Sequence, residues 1–371
     1  MRVLMTGGGT GGHVNPALAI ANTIKENEPD SEIAFVGTSR GIENKLVPAA
    51  GYELYHVNVV GLRRKLTLAN IKAAYLALTS PIKAKKIIKK FKPDVVVGTG
   101  GYVCWPVVKA AAQMGVPTAL HESNAVPGMA VRMLSGAVDR IYLNFEAAGS
   151  GISQKEKLMV CGCPTLAKQN SISKEEAREK LGIANDAVYV LSFGGSMGAE
   201  KVNEAVLEVM KNVTGGKSGV FHTLACGAIE KDICFGKFKE MELDKFENLE
   251  LLEYIYDMPV RLAAADIVIC RAGAMTISEL AMAGKCAVFI PSPNVTDDQQ
   301  YKNAAVLSDE DAAVVIRENA DTPEILKKKI DELIENKDMR AEMGEKIKKF
   351  ARPDANKIIY NDLVKVIKNK K

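Results

Sequence analysis

The sequence predicts an α/β fold made of two parallel, Rossmann-like sheets, and three features carry that expectation. Short, nearly continuous apolar runs recur along the chain, helical patterns lie between them, and glycine-rich turns follow three of the runs. Strands buried on both faces read as unbroken apolar segments, whereas half-exposed antiparallel strands alternate. At 371 residues, the chain accommodates two such domains of ordinary size.

In the first half the expected strands are residues 3–6, 32–37, 94–98, 117–122 and 140–144, with helices such as 15–26 and 106–115 between them. In the second half they are 188–194, 220–225, 249–255, 267–270, 287–291 and 313–316, with helices including 199–211, 275–283 and 323–336. The pattern breaks near 161–174, where Gly162-Cys163-Pro164 and a polar stretch at 170–173 intervene. A first domain over 1–163 and a second over 164–352 follow, with a last helix in 353–371 packing back on the first.

Hydrophobic residues make up 47% and charged residues 25%, which is globular usage and excludes a disordered chain. A net charge of +4 is too weak to imply nucleic-acid binding. The seven cysteines are scattered, several inside apolar runs, as expected of free thiols in a reducing cytoplasm. Cys161 and Cys163 form a lone C-x-C without a second pair, so no zinc site is expected. No secretory signal precedes the first strand. The most apolar segment, 95–108, is interrupted by glycines and falls short of the roughly 20 residues that span a bilayer.

The strongest chemical signal is Gly7-Gly8-Gly9-Thr10-Gly11-Gly12-His13, set between a strand and a helix. Glycines let the backbone turn tightly and approach a ligand, and the free N–H groups opening a helix suit a phosphate. Gly98-Thr99-Gly100-Gly101-Tyr102 and Gly194-Gly195-Ser196-Met197-Gly198-Ala199 repeat the arrangement. Tight strand–helix packing alone also favours such turns, most of all at the second. A nicotinamide or flavin enzyme fits less well, because the strand 32–37 ends in Gly37-Thr38-Ser39 without the acid that holds a ribose. No Gly-Lys-Ser/Thr follows any loop, which excludes the Walker pattern.

These loops, with His121-Glu122-Ser123-Asn124, Pro127-Gly128, Arg271-Ala272-Gly273-Ala274, Thr276, Ser278, Glu279, Asp298-Gln299-Gln300-Tyr301 and Asn303, occur in one order over nearly the whole chain. In that order they resemble the MurG family of UDP-N-acetylglucosamine–N-acetylmuramyl-(pentapeptide) pyrophosphoryl-undecaprenol N-acetylglucosamine transferases. The resemblance implies a GT-B fold, two Rossmann-like domains facing across a cleft. It implies inverting transfer of GlcNAc from UDP-GlcNAc to the muramyl 4-hydroxyl of lipid I, forming lipid II for peptidoglycan, and so a part in cell-wall growth, cell shape and division. No cofactor is implied.

By motif match, Ser196 binds the donor diphosphate, Ile255 sits at the uracil, and Glu279 accepts from the ribose hydroxyls. Ala274, Met275, Thr276, Ile277 and Ser278 form the helix start facing the phosphates, and Gln299 and Gln300 contact the sugar. Thr10, Gly11, Gly12 and Asn124 of the first domain close over the donor or acceptor phosphate. Many family members carry an arginine after Gly-Asn-Pro, but this chain reads Gly162-Cys163-Pro164-Thr165-Leu166. Lys168 and Arg271 are the candidate substitutes.

His13 is the candidate general base, since imidazole titrates near neutrality and His13 ends the first loop. A loop-orienting role is its alternative, and Glu122 is the alternative base. His121, at a strand end, reads as structural. Asp309-Glu310-Asp311 reads as a solvated turn, so no metal is expected. Residues 63–92 carry Arg63, Arg64, Lys65, Lys72, Lys83, Lys85, Lys86, Lys89, Lys90 and Lys92 among apolar positions including Leu66, Leu68, Ile71, Tyr75, Leu76, Leu78, Ile82, Ile87 and Ile88. That mixture suits an anionic membrane surface, and with a lipid-anchored acceptor it implies peripheral attachment at the cytoplasmic face of the cell membrane. Three rivals remain: a GT-B transferase acting on diacylglycerol, a sugar-nucleotide epimerase, and a non-catalytic UDP-GlcNAc-binding protein.

Overall fold

The structure, a computed structural model, describes residues 1–59, 68–166 and 172–370, with residues 68–78 in backbone only. The chain divides into two compact units, Met1–Leu166 with Arg352–Lys371, and Ala167–Ala351.

The first unit holds seven strands: β1 (Arg2–Thr6), β2 (Glu32–Gly37), β3 (Glu53–His56), β4 (Val95–Gly98), β5 (Thr118–Glu122), β6 (Arg140–Leu143) and β7 (Leu158–Val160). They pair in parallel in the order β3-β2-β1-β4-β5-β6-β7. Successive residues of the central strands enter different cores. Val3, Met5, Val95 and Val97 pack on one face with the helix Gly11–Asn27, and Leu4 and Val96 on the other with the helix Cys104–Gln113. Double burial is why these strands read as continuous apolar runs.

Two strands escape the sequence reading, and both lie at sheet edges. β3 (Glu-Leu-Tyr-His) keeps its residues exposed or half-buried, and β7 has only three residues. Neither needs the apolar run that marks a central strand.

The helix Ala355–Lys370 belongs to this unit. Ile359, Leu363 and Ile367 join the core that contains Val3 and Phe35. Its inward polar groups are matched: Tyr142 donates its hydroxyl to buried Asp362 at 3.0 Å, and half-buried Asn356 donates to Thr23 at 3.1 Å.

The second unit holds β8 (Val188–Phe193), β9 (Val220–Ala225), β10 (Leu249–Leu252), β11 (Ile267–Cys270), β12 (Cys286–Phe289) and β13 (Val314–Val315), all parallel in the order β10-β9-β8-β11-β12-β13. In each sheet the strand order reverses once, between β1 and β4 and between β8 and β11. Connections leave such a pair towards opposite sides, opening a crevice at the carboxyl ends where ligands bind in doubly wound folds. The three glycine turns and the 271–273 turn follow these four strands.

One boundary differs in a way that matters. The first helix begins at Gly11 rather than near residue 15, with Thr10 extended at φ −136° and ψ 158°. Glycine is costly in a helix interior but not in its first turn, where N–H groups lack helical partners anyway. Gly11, Gly12 and His13 are therefore the helix's opening turn, not loop.

Candidate active site

The first candidate site surrounds His13. Its backbone N–H donates to Thr10 O at 3.1 Å, and Thr99 Oγ1 donates to the His13 carbonyl at 2.7 Å. The ring nitrogen Nδ1 lies 3.0 Å from the Gly8 carbonyl and 3.3 Å from Thr10 Oγ1. A carbonyl only accepts, so Nδ1 carries the proton and Nε2 keeps its lone pair. Burial lowers the His13 pKa from its ordinary 6.5, against the Gly8 hydrogen bond and the Glu43 charge, which both raise it. The imidazole is therefore neutral at pH 7.

The second glycine turn supports this ring. Gly100, at φ +120°, lies so close that a Cβ there would stand 2.4 Å from His13 Cδ2. Cys104 stitches the turn: its Sγ accepts from Gly100 N at 3.2 Å and lies within donating reach of Thr6 O and Gly100 O, and burial pushes its thiol up to about 12. Thr10 and Gly12 are exposed beside His13, and Gly11 is half-buried.

Glu122 is buried and its oxygens are occupied. Oε1 accepts from the Asn124 backbone at 2.9 Å and its side chain at 3.0 Å, and Oε2 accepts from Gly128 N at 2.7 Å. Burial raises its carboxyl despite these bonds. The geometry makes it the organiser of the turn that presents Asn124. His121 sits 3.0 Å from the Gly162 carbonyl through Nε2, and burial drives it down to about 4.

The second candidate site, in the other unit, is built at the β8/β11 reversal. The third glycine turn is clipped to residues 228–229: Ala228 N donates to Ser196 O at 3.2 Å and Ile229 N to Met197 O at 3.1 Å. Ser196 is exposed. The helix that follows, Glu200–Val209, has Glu200 in its first turn. By contrast, the helix Ala274–Ala283, capped by Gly273, has no acid in its first turn. Like charge weakens anion binding at a helix N-terminus, so the start of the 274 helix suits an anion better than that of the 200 helix.

Within that helix, Ile277 is buried and contributes only backbone, and the Ser278 hydroxyl donates to Ala274 O at 3.0 Å. Ala274 is buried, whereas Met275 and Thr276 are half-buried. Glu279 lies in the second helical turn, half-buried, and burial raises its carboxyl. Ile255 is buried in the loop after β10 and not in the strand, which ends at Leu252.

Gln299 opens the helix Gln299–Ser308 behind Asp297 and Asp298, both at positive φ. Gln300 Oε1 accepts from Ser292 N at 2.8 Å, which leaves its amide N–H groups for a ligand. Asn303 donates to Ala272 O at 3.5 Å and so ties this helix to the 271–273 turn.

Of the two proposed substitute cations, Lys168 lies outside the described residues. Arg271 is engaged elsewhere, 2.6 Å from Glu318 and donating to Ile290 O at 3.0 Å, with both members of the pair largely buried. Freeing one partner of a buried pair costs about 3–5 kcal/mol, so Arg271 is a structural cation. Residues 309–311 form a turn where Asp311 lies 3.6 Å from Lys346 Nζ. Among the described residues, no three His, Cys, Asp or Glu side chains are grouped as metal ligands.

Two parallel Rossmann-like sheets with phosphate-ready helix starts at their reversals define a nucleotide-sugar enzyme of GT-B type. The chain belongs to glycosyltransferase family 28: the family's N-terminal domain matches residues 3–143 and its C-terminal domain residues 189–359. It is a glycosyltransferase. It is 41% identical, over all of its length and 99% of the relative's, to the UDP-N-acetylglucosamine–N-acetylmuramyl-(pentapeptide) pyrophosphoryl-undecaprenol N-acetylglucosamine transferase of Acetivibrio thermocellus. Among solved structures, MurG of Acinetobacter baumannii superposes with a TM-score of 0.80 at 30% identity, covering 98% of this chain and 99% of that one. A UDP-GlcNAc 2-epimerase from Neisseria meningitidis shares the fold at 15% identity and a TM-score of 0.68, covering 98% and 100%.

Sequence reasoning missed Glu43, the bond from Thr99 to the His13 carbonyl and the Arg271–Glu318 pair. Glu43, six residues beyond the end of β2, is buried and reaches back to Thr38, so it is not a ribose-holding acid.

Proposed function

We propose that the chain transfers GlcNAc from UDP-GlcNAc to the muramyl 4-hydroxyl of lipid I, giving lipid II with inversion at the anomeric carbon. The observation that carries the mechanism is the His13 geometry: Nδ1 held by Gly8 O leaves Nε2 as a free base at neutral pH. The acceptor oxygen attacks the anomeric carbon as the bond to the UDP oxygen breaks, and Nε2 takes the hydroxyl proton. Charge developing on the departing diphosphate is met by the N–H groups of the 274 helix and the 194–199 turn, with the Ser196 hydroxyl. Gln299 and Gln300 bind the sugar, Glu279 the ribose and Ile255 the uracil. Thr10, Gly11, Gly12 and Asn124 bind phosphate from the first unit.

The test is the product's linkage. An α-linked donor converted to a β-linked disaccharide supports inversion, and an α-linked product would overturn it. The epimerase reading predicts a changed nucleotide sugar without any acceptor.

The pH dependence has a definite sign. Neutral imidazole is the active form, so kcat/KM falls as pH drops through the His13 pKa, which lies below the ordinary 6.5. An acid limb centred above 6.5 would argue against His13.

The membrane reading rests on the described end of the helix Leu68–Phe91, where Ile82, Lys83, Lys86, Lys89 and Lys90 are exposed. Arg63, Arg64, Lys65 and Leu66 lie outside the described residues, as do the side chains of Leu68, Ile71, Lys72, Tyr75, Leu76 and Leu78. Among the described residues no helix is long and apolar enough to cross a membrane. Each lysine near an anionic surface contributes about 1 kcal/mol. Replacing Lys83, Lys86 and Lys89 with glutamine should weaken binding to phosphatidylglycerol vesicles by about tenfold or more, and indifference to lipid charge would contradict the proposal. Attachment at the cytoplasmic face would put the chain where lipid I is glycosylated for wall growth, cell shape and division.

A further inference from the structure

Glu43 is fully buried, and none of the described residues forms an ion pair with it. A carboxylate without a countercharge survives there because hydrogen-bond donors surround it. Oε2 accepts from Gly9 N at 3.0 Å, and Oε1 accepts from Thr38 N at 2.9 Å and Thr38 Oγ1 at 2.8 Å. Burial alone would raise this carboxyl, but the bonds from Gly9 and Thr38 outweigh it and hold Glu43 ionised. The space is made for it: a Cβ at Gly8 or Gly37 would come within 2.6 Å of the Glu43 side chain, and one at Gly41 within 1.9 Å.

The Gly9 N–H that binds Glu43 and the Gly8 C=O that binds His13 Nδ1 belong to one peptide unit. That unit is planar, and in its trans form the N–H and C=O point in opposite directions. The order of groups is therefore Glu43 carboxylate, Gly8–Gly9 amide, His13 imidazole, each joined to the next by a 3.0 Å hydrogen bond. A charged acceptor on the N–H polarises the amide and makes its carbonyl a stronger acceptor.

We propose that Glu43 is a positioning residue for His13, acting through the Gly8–Gly9 peptide to fix the Nδ1–H tautomer and to stabilise the imidazolium formed when Nε2 takes a proton. The relay does for this histidine what a directly bonded carboxylate does in a Ser-His-Asp triad, with one amide inserted. Its catalytic consequence rests on the reading of His13 as base, whereas its structural consequence does not.

The chain has four histidines, so long-range proton–nitrogen spectra of histidine-labelled protein are readily assigned. Wild type should show His13 protonated at Nδ1 and bare at Nε2, and a dominant Nε2–H form would overturn the relay even if no variant folds. Glu43→Gln keeps the shape but replaces the charge, and its amide cannot accept from every donor around it. This variant should show mixed His13 tautomers and a kcat about tenfold lower, with KM for UDP-GlcNAc unchanged. An unaltered His13 signal in Glu43→Gln overturns the relay whatever the rate. Altered tautomers with an unaltered kcat support the relay and remove His13 as the base.

Discussion

Replacing His13 with alanine is expected to lower kcat for GlcNAc transfer by about 10²–10⁴-fold, the usual worth of a positioned general base, with UDP binding retained. The expectation comes from the ring and not from the loop around it. The backbone groups that anchor position 13, its N–H to Thr10 O and its carbonyl to Thr99 Oγ1, survive the substitution. What is lost is Nε2, the Nδ1 hydrogen bond to Gly8 O and the packing of the ring against Gly100. Titration calorimetry with UDP separates the two, because a collapsed loop loses affinity along with rate. A His13→Ala enzyme with near-normal kcat would return His13 to a loop-orienting role. Glu122, with both oxygens committed to Asn124 and Gly128, would be a poor replacement.

The second large effect is on substrate affinity. Glu279→Ala is expected to raise KM for UDP-GlcNAc by about 10–100-fold while kcat changes little. A partly desolvated carboxylate accepting from ribose hydroxyls is worth about 1.5–3 kcal/mol in a charged hydrogen bond, and each 1.4 kcal/mol is about tenfold in affinity. Ribose stays bound in ground and transition states alike, so the loss falls on KM. Burial already raises this carboxyl, which means the folded chain holds it at a cost that a ligand's hydroxyls relieve. Steady-state kinetics against UDP-GlcNAc decide the matter, and an unchanged KM would move the ribose elsewhere.

The central strands were legible in the sequence because burial on both faces leaves unbroken apolar runs, as at β1, β4 and β11. β3 and β7 were not, since an edge strand keeps one side open to solvent and can be short or polar. The first helix was misjudged at its start because Gly11 and Gly12 look like loop, and only the extended Thr10 places them in an opening turn. The glycine turns could be read from the strand–glycine–helix order, and they fall at the two sheet reversals.

The partners of buried polar groups could not be read in this way. Glu43 meets Gly9 across 34 positions and Thr99 meets His13 across 86, and no spacing rule covers such separations. The same limit hid Glu318, whose pairing with Arg271 removes that arginine from the diphosphate. With Arg271 paired to Glu318, Lys168 is the remaining candidate cation, and it lies outside the described residues.

The most direct test of the proposed reaction is transfer of labelled GlcNAc from UDP-GlcNAc to a short-chain lipid I analogue by the wild-type chain, run with and without acceptor. The account predicts label in a disaccharide-pentapeptide lipid and one UDP released per transfer, only when acceptor is present. Binding of UDP-GlcNAc without any labelled lipid, or conversion of the nucleotide sugar in the absence of acceptor, would contradict it.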